Sequence, residues 1–271
     1  MKKIYGIVGH PVSHSLSPAM HHAAFKAESI NAEYKLFDID PEDPDDLANF
    51  CYETDFNSIA GFSVTMPYKQ EIMMYMDHYD PLAKIVGSVN TVLNEDSKLI
   101  GYNTDATGAV QALQEKTEIK DRKILVMGAG GAARAISYSL KEFGADVYIF
   151  NRTKEKAKAL ADEFELETID FLQIPKADFD IIINTTPVGM LPNTEESLLH
   201  ADQIKGVDVV MDIVTSPMET RLLKEAKKAG ADTITGERML LHQACGQFEI
   251  WFGKTAPMEA MEKALYSKLQ N

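Results

Sequence analysis

The sequence predicts an α/β protein of two domains: an N-terminal α/β domain, then a doubly wound nucleotide-binding domain, with C-terminal helices packing back on the first. Three observations predict it. Apolar runs of strand length alternate with stretches of helical periodicity from Ile4 to Thr235. Lys123–Met127 is a strand too apolar to have a wet face, and the small residues after it open a helix. Two helical stretches, Arg238–Phe252 and Pro257–Leu269, end the chain with no strand between them, which suggests a return to the first domain. The expected boundaries are 1–105, 106–237 and 238–271.

The glycine turn organises the rest. Gly128, Gly130 and Ala133 fill a G-x-G-x-x-A pattern. Each is small for its own reason: a tight turn, backbone approach to a pyrophosphate, and close packing of helix on strand. Gly128, Ala129, Gly130, Gly131 and Ala132 are therefore expected to hold a dinucleotide at the helix N-terminus of a Rossmann domain. The next strand, Asp146–Phe150, leads into Asn151-Arg152-Thr153. A cofactor with a free 2′-hydroxyl usually meets an acid about 20 residues past the glycines. No carboxylate stands there, and guanidinium or ammonium groups suit a 2′-phosphate, so the reading is NADP rather than NAD. Arg152 and Lys156 are assigned to that phosphate beside Asn151 and Thr153, whereas Lys154 and Lys158 are read as the solvated face of the helix Lys154–Phe164. The strand Asp180–Asn184 ends in a loop with Thr186 and Met190, and Val207–Val214 is another strand containing Ile213. Ligands lie beyond the C-terminal ends of such strands, so these loops, with Gly236, are expected to line the cofactor. The helix Met218–Ala229 and the short strand Asp232–Thr235 close the sheet.

In the N-terminal half, Ile4–Val8 reads as a strand and Pro18 opens a helix running to about Ser29. Ser15 and Ser17 then sit at a helix N-terminus, where hydroxyls and free amides suit an anion; spacing alone favours Ser17 as a cap. His10, His14, His21 and His22 fit no metal-ligand pattern, and no metal is expected. Ala32–Ile39 alternates like a half-buried strand, and Pro44–Thr54 reads as an acidic helix. Phe62–Thr65 extends a strand, and Pro67 opens a helix whose first turn holds Lys69. The positive end of the helix macrodipole would make that ammonium a better proton carrier, although an exposed lysine is the commoner outcome of the pattern. Asn90 and Asp105 fall where irregular backbone meets regular elements. Asp105 also reads as the N-cap of a helix Ala106–Lys116, and Gln243 is open between a core and a cleft role.

Length and composition bound the class. With 271 residues and 45% hydrophobic residues the chain can build two cores. A net charge of −14 disfavours nucleic acid and anionic membranes as partners. The absence of a long apolar run and of a signal-like start points to the cytoplasm. Cys51 and Cys245 lack metal spacing and read as reduced packing residues.

Taken together, Ser15-Leu-Ser-Pro18, Val64-Thr-Met-Pro-Tyr-Lys69, Val89-Asn-Thr91, Asn103-Thr-Asp105, Gly128-Ala-Gly-Gly-Ala-Ala-Arg134, Asn151-Arg-Thr153, Pro187-Val-Gly-Met190, and Gln243 with Phe248-Glu-Ile-Trp251 resemble the shikimate dehydrogenase family over nearly the whole length. The resemblance implies reversible NADPH-dependent reduction of 3-dehydroshikimate to shikimate, in the route to chorismate and the aromatic amino acids, by a monomer or homodimer. It implies that Lys69 and Asp105 are the catalytic pair, and that Ser15, Ser17, Thr65, Asn90, Asp105 and Gln243 hold the substrate. Two positions depart from the family pattern. Ser63 stands where an Asn is usual, and Thr215 replaces a tyrosine that usually touches the substrate carboxylate. Thr215 motivates an alternative, a paralogue acting on quinate or a related cyclic polyol acid. A dinucleotide-binding redox sensor without turnover is a third reading, one that would have no need of a Lys69 and Asp105 pair.

Overall fold

The computed structural model describes residues 2–43, 46–53 and 59–270. They form two compact units: the residues up to Thr104 together with those from Gln243 on, and Asp105–His242. Sequence alone placed the divisions at 105/106 and 237/238. Arg238 and His242 fall in the second unit because both bond the carboxylate of Glu115 there.

The first unit runs β1 (Lys3–Gly9), α1 (Ser17–Ala27), β2 (Ala32–Asp38), α2 (Asp46–Glu53), β3 (Ile59–Val64), a 3-10 turn (Glu71–Tyr75), β4 (His78–Tyr79), α3 (Pro81–Val86), β5 (Thr91–Glu95) and β6 (Lys98–Tyr102). The six strands make one mixed sheet in the order β2-β1-β3-β5-β6-β4. β1 pairs parallel with β2 and β3, while β3–β5 and β5–β6 are antiparallel. Val8, Phe62, Val64, Val89 and Val92 pack beneath it with Ile72 and Leu47. The β5–β6 hairpin is absent from the sequence reading; its turn residues, Asp96 and Ser97, both have positive φ, 51° and 61°, the backbone a tight hairpin requires. Pro44 and Thr54, the ends expected for the acidic helix, lie outside the described residues.

The second unit runs α4 (Asp105–Gln114), β7 (Lys123–Met127), α5 (Gly131–Glu142), β8 (Asp146–Phe150), α6 (Lys154–Phe164), β9 (Glu167–Thr168), β10 (Ile181–Asn184), β11 (Val209–Asp212), α7 (Arg221–Ala229) and β12 (Asp232–Ile234). Its strands are all parallel, in the order β12-β11-β10-β7-β8-β9. This is the doubly wound order, and it reverses between β7 and β10, the switch point at which such sheets take ligands. Both faces are covered. Ile124, Val126, Ile136 and Ile183 belong to one apolar cluster and Leu125, Met127, Ile182 and Leu223 to the other, which is why these strands read as continuous apolar runs.

Two helices complete the chain, α8 (Gly236–Phe252) and α9 (Met258–Leu269). Within the first unit α9 packs on α1. Trp251 and Phe252 of α8 meet Tyr5 at centroid distances of 5.0 and 5.1 Å, and Phe252 meets Phe25 at 5.7 Å. Among the described residues no helix is long and apolar enough to cross a membrane.

Candidate active site

In the second unit the turn after β7 is shaped by its glycines. Gly128 has φ +130°, and a Cβ there would fall 2.2 Å from Thr185 Oγ1, so no other residue fits. A Cβ on Gly130 would meet nothing within 4 Å: the space above the turn is open. Gly130 occupies the N-cap of α5 and offers no side-chain cap, leaving first-turn amides for an anion. Ala133 is fully buried against the strands, as its small size in the pattern requires. At the end of β8, Asn151 Nδ2 donates to Thr153 O at 2.9 Å and closes the bend that displays Arg152. Arg152, Thr153 and Lys156 are exposed. Lys154 pairs with Asp170 and Lys158 with Asp162, so those two lysines are engaged on the surface, as the sequence reading preferred. The open turn, the uncapped helix start and a cation with no acid at the end of β8 fit a dinucleotide carrying a 2′-phosphate.

The two loops beyond β10 and β11 are fastened by a pair of buried side chains that sequence reasoning missed. Asn184 Nδ2 donates to Asp212 Oδ1 at 3.0 Å, and Asn184 Oδ1 accepts from the amide and hydroxyl of Thr186 at 2.9 and 2.7 Å. Asp212 also accepts from Val214 N at 3.1 Å and from Thr220 Oγ1 at 2.7 Å, while Thr220 caps α7. Burial pushes the Asp212 carboxyl up from 3.8 to about 6, against the bonds from Thr220, Val214 and Asn184 that favour its charged form. The signal in the sequence was a polar residue closing each apolar strand, Ile-Ile-Ile-Asn184 and Val-Val-Met-Asp212. Gly236 touches the second loop: a Cβ there would lie 2.4 Å from Val214 O and 2.6 Å from Ile213 O. Thr215 is half-buried and Met190 is exposed.

In the first unit the candidate substrate residues gather at the ends of β1 and β3. Thr65 N donates to Val8 O at 2.9 Å, and Gly9 leaves room for the Thr65 methyl. Val89 N donates to Lys69 O at 2.8 Å, which sets half-buried Lys69 beside Asn90 in the backbone. Asn90 is buried; its Nδ2 reaches Thr104 Oγ1 at 3.0 Å and Gln243 Oε1 at 3.5 Å, and its Oδ1 accepts from Thr104 N at 2.7 Å. Gln243, open between two roles in the sequence, thus joins Asn90.

Three local expectations need correction. Ser17 is not the cap of α1: the helix begins at Ser17, Leu16 occupies the cap, and Ser15 Oγ accepts the Ser17 amide at 3.3 Å. Nor does a helix open at Pro67. Residues 66–70 form turns, with Tyr68 N bonded to Thr65 O, and only a 3-10 turn follows. So short an element sums few peptide dipoles, and the macrodipole argument for Lys69 falls away. Asp105, buried, is the first residue of α4 rather than a cap before it. Lys69 belongs to the first unit and Asp105 to the second.

The histidines part company. His10 Nδ1 bonds Asp38 at 2.8 Å, His22 Nε2 accepts from Tyr34 N at 3.1 Å, and His21 is buried. Among the described residues no group of three His, Cys, Asp or Glu could hold a metal ion. Behind Ser17 lies a buried polar chain the sequence did not announce. Tyr34 Oη meets Ser63 Oγ at 2.7 Å, Ser63 Oγ donates to Gln247 Oε1 at 2.9 Å, and His21 Nε2 reaches the same Oε1 at 3.2 Å. Gln247 Nε2 donates to Asn90 O at 3.3 Å.

Comparison with known proteins agrees with this geometry. Residues 7–92 match the shikimate dehydrogenase substrate binding domain, 110–219 the shikimate/quinate 5-dehydrogenase domain, and 236–266 the shikimate 5′-dehydrogenase C-terminal domain. The chain is 44% identical to a shikimate dehydrogenase (NADP(+)) of Methanocaldococcus jannaschii, covering 98% of this chain and 97% of that protein. A crystal structure of a shikimate dehydrogenase in complex with NADP+ superposes with a TM-score of 0.94 at 43% identity, covering 100% of this chain and 96% of the other. The Thermus thermophilus enzyme in complex with NADP(H) and shikimate follows at 0.89 and 34%, covering 98% and 99%. The chain belongs to the shikimate dehydrogenase family.

Proposed function

We propose that the chain catalyses the reversible reduction of 3-dehydroshikimate to shikimate with NADPH, acting in the cytoplasm as a monomer or homodimer. The observation that carries the reading is the full-length kinship to NADP-dependent shikimate dehydrogenases, in a chain that keeps a cation and no acid after β8. Residues up to 105 with the C-terminal helices serve the substrate, and the doubly wound sheet serves the cofactor. NADPH, when bound, supplies the hydride. Gly128, Gly130 and the first turn of α5 take its pyrophosphate, Arg152 and Lys156 its 2′-phosphate, and Thr186, Met190, Ile213 and Gly236 border its remainder.

The protein's own part is binding, orientation and proton transfer. Ser15 and Ser17 receive the substrate carboxylate, and Thr65, Asn90 and Gln243 its hydroxyls. Lys69 delivers a proton to the carbonyl oxygen as that oxygen gains charge, and Asp105 aligns the ammonium and the reacting hydroxyl. Proton delivery of this kind contributes roughly 10²- to 10⁴-fold in rate. Thr215 supports a second reading, a preference for quinate, because a shorter hydroxyl leaves room for a bulkier ring substituent.

The deciding experiment is an absorbance assay of reduced nicotinamide with shikimate or quinate and with NADP+ or NAD+. Turnover of shikimate with NADP+ above every other pairing is expected. A preference for quinate would install the second reading, and absence of turnover with all four pairings would dismiss both.

A further inference from the structure

Asn90 is buried, and its polar atoms meet neighbours whose chemistry fixes the direction of each bond. Its backbone N–H donates to Tyr102 O at 3.0 Å, and its carbonyl accepts from Val64 N at 2.8 Å and from Gln247 Nε2 at 3.3 Å. The amide of Thr104 can only donate, so the side-chain atom 2.7 Å from it is the oxygen Oδ1, and the other is the NH₂. Thr91 Oγ1 donates to the same Oδ1 at 2.9 Å, which fills both of its lone pairs. With its proton spent there, Thr91 Oγ1 accepts from Thr104 Oγ1 at 3.3 Å, and Thr104 Oγ1 in turn accepts from Asn90 Nδ2 at 3.0 Å. The three side chains close a one-way ring: Asn90 Nδ2 to Thr104, Thr104 to Thr91, Thr91 to Asn90 Oδ1. Gly246 of α8 seats the Thr104 side chain in this pose, since a Cβ there would lie 3.3 and 3.4 Å from Thr104 Cγ2 and Cβ. Asn90 Nδ2 also faces Gln243 Oε1 at 3.5 Å, the long limit of a hydrogen bond.

We propose that Thr91 and Thr104 are positioning residues for the substrate: their ring keeps the Asn90 side chain a donor alone, so that it reads a substrate oxygen by offering an N–H and cannot take a proton from it. The proposal rests on the reading of Asn90 as a substrate ligand. A carboxamide has two nearly identical faces, and turning it over exchanges donor for acceptor with no change of shape. Here the reversed amide would set its NH₂ against the Thr104 N–H, two buried donors with no acceptor between them. The ring then reinforces the direction that the Thr104 amide selects, because hydrogen bonds running one way polarise one another and strengthen Nδ2 as a donor. Without the Thr91 hydroxyl, Thr104 Oγ1 turns its proton to Asn90 Oδ1, 3.3 Å away, and a close bond to that oxygen is exchanged for a long one. The carboxamide is then held less firmly in the pose that meets the substrate.

The test is calorimetric titration of shikimate into the full chain saturated with NADPH, with which shikimate cannot react, and of NADPH into the chain alone. The wild type is compared with Thr91→Val, Thr91→Ser, Asn90→Ala, Asn90→Asp and the Thr91→Val/Asn90→Ala double variant. Thr91→Val should weaken shikimate binding by about 3- to 10-fold, the reach of one neutral hydrogen bond, and Thr91→Ser, which keeps the hydroxyl, should restore it. Asn90→Ala should weaken it further, and Thr91→Val should add nothing in that background. Asn90→Asp, whose ionised oxygens accept alone, should bind no better than Asn90→Ala, and NADPH affinity should not move. An unchanged affinity in Thr91→Val beside a weakened Asn90→Ala overturns the ring and leaves the Asn90 reading standing. So does a loss that Thr91→Ser fails to restore, that persists in the double variant or that reaches NADPH, since packing rather than the hydroxyl is then at fault. Near wild-type affinity in Asn90→Asp overturns the donor assignment. An Asn90→Ala enzyme with wild-type affinity overturns the proposal and the Asn90 reading together, and a wild type that binds no shikimate overturns the substrate as well. Should circular dichroism show Thr91→Val misfolded, Thr91→Cys, a weaker hydrogen-bond former, carries the same test with a smaller loss.

Discussion

Replacing Asp212 by Asn removes a buried charge and keeps the shape. Asp212 is fully buried and accepts from Asn184, Val214 and Thr220, yet burial outweighs those bonds and lifts its carboxyl from 3.8 to about 6. For an acid whose folded value is raised, the folded chain holds a proton that the unfolded chain has released between those two values. The associated stability is complete below about pH 4 and is lost as pH rises through about 6. Integrating the linkage from about pH 5 to about pH 7 gives a loss on the order of 1 kcal/mol that belongs to Asp212 alone. An amide at this position has no charge to bury. Its oxygen can still accept from Asn184 and Val214, and its NH₂ can donate to Thr220 Oγ1. Urea unfolding followed by circular dichroism, run on wild type and Asp212→Asn at the two pH values, should show the difference between them moving by roughly 1 kcal/mol in favour of Asn as pH rises. A difference that stays flat, or that moves against Asn at neutral pH, would mean that the three bonds outweigh desolvation, and the reasoning would be refuted.

Other outcomes follow from the sites. Arg152→Ala removes a charge-assisted phosphate contact worth about 1.5 to 3 kcal/mol, so an NADP preference of well over about tenfold should mostly vanish, as read from KM for NADP+ and NAD+. Lys69→Met should cut kcat for shikimate by about 10²- to 10⁴-fold with little change in KM, whereas a purely binding lysine would raise KM and spare kcat. Thr215→Tyr should lower KM for shikimate or leave it unchanged; abolished shikimate turnover beside a wild type that prefers quinate would favour the second reading. Gly128→Ala places a Cβ 2.2 Å from Thr185 Oγ1 at a φ of +130°. It should raise KM for NADP+ and lower the melting temperature, and an unaltered enzyme would contradict the strained turn.

Much of this was legible in the sequence where one residue type answers one physical need. The β7–α5 turn declared itself because only small residues fit it, and the buried strands of the second unit because both faces are covered. The β5–β6 hairpin hid because its turn uses Asp96-Ser97, without the glycine that usually marks such a turn. The helix expected at Pro67 did not form: proline fixes its own φ and bars a donor, and it says nothing of how many turns follow. The candidate site residues were picked out from motifs. The Asn184–Asp212 pair and the chain from Tyr34 to His21 were not, since their partners lie far apart in sequence and only folding brings them together. Gln247, on α8, bonds residues of α1, β3 and the loop before β5, contacts that no local pattern encodes.

The first unit is discontinuous: the chain leaves it after Thr104 and re-enters at Gln243. A ribosome therefore delivers all of the second unit before the pieces that finish the first. Until Trp251 and Phe252 emerge, Tyr5 lacks both of those rings, Phe25 lacks Phe252, and Ser63 lacks Gln247. Synthesis proceeds at roughly 5 to 20 residues per second and units generally fold as they appear. In the nascent protein the nucleotide-binding half is thus the earlier to mature, and the segment made first waits longest, an apolar surface for chaperones to shield in the interval.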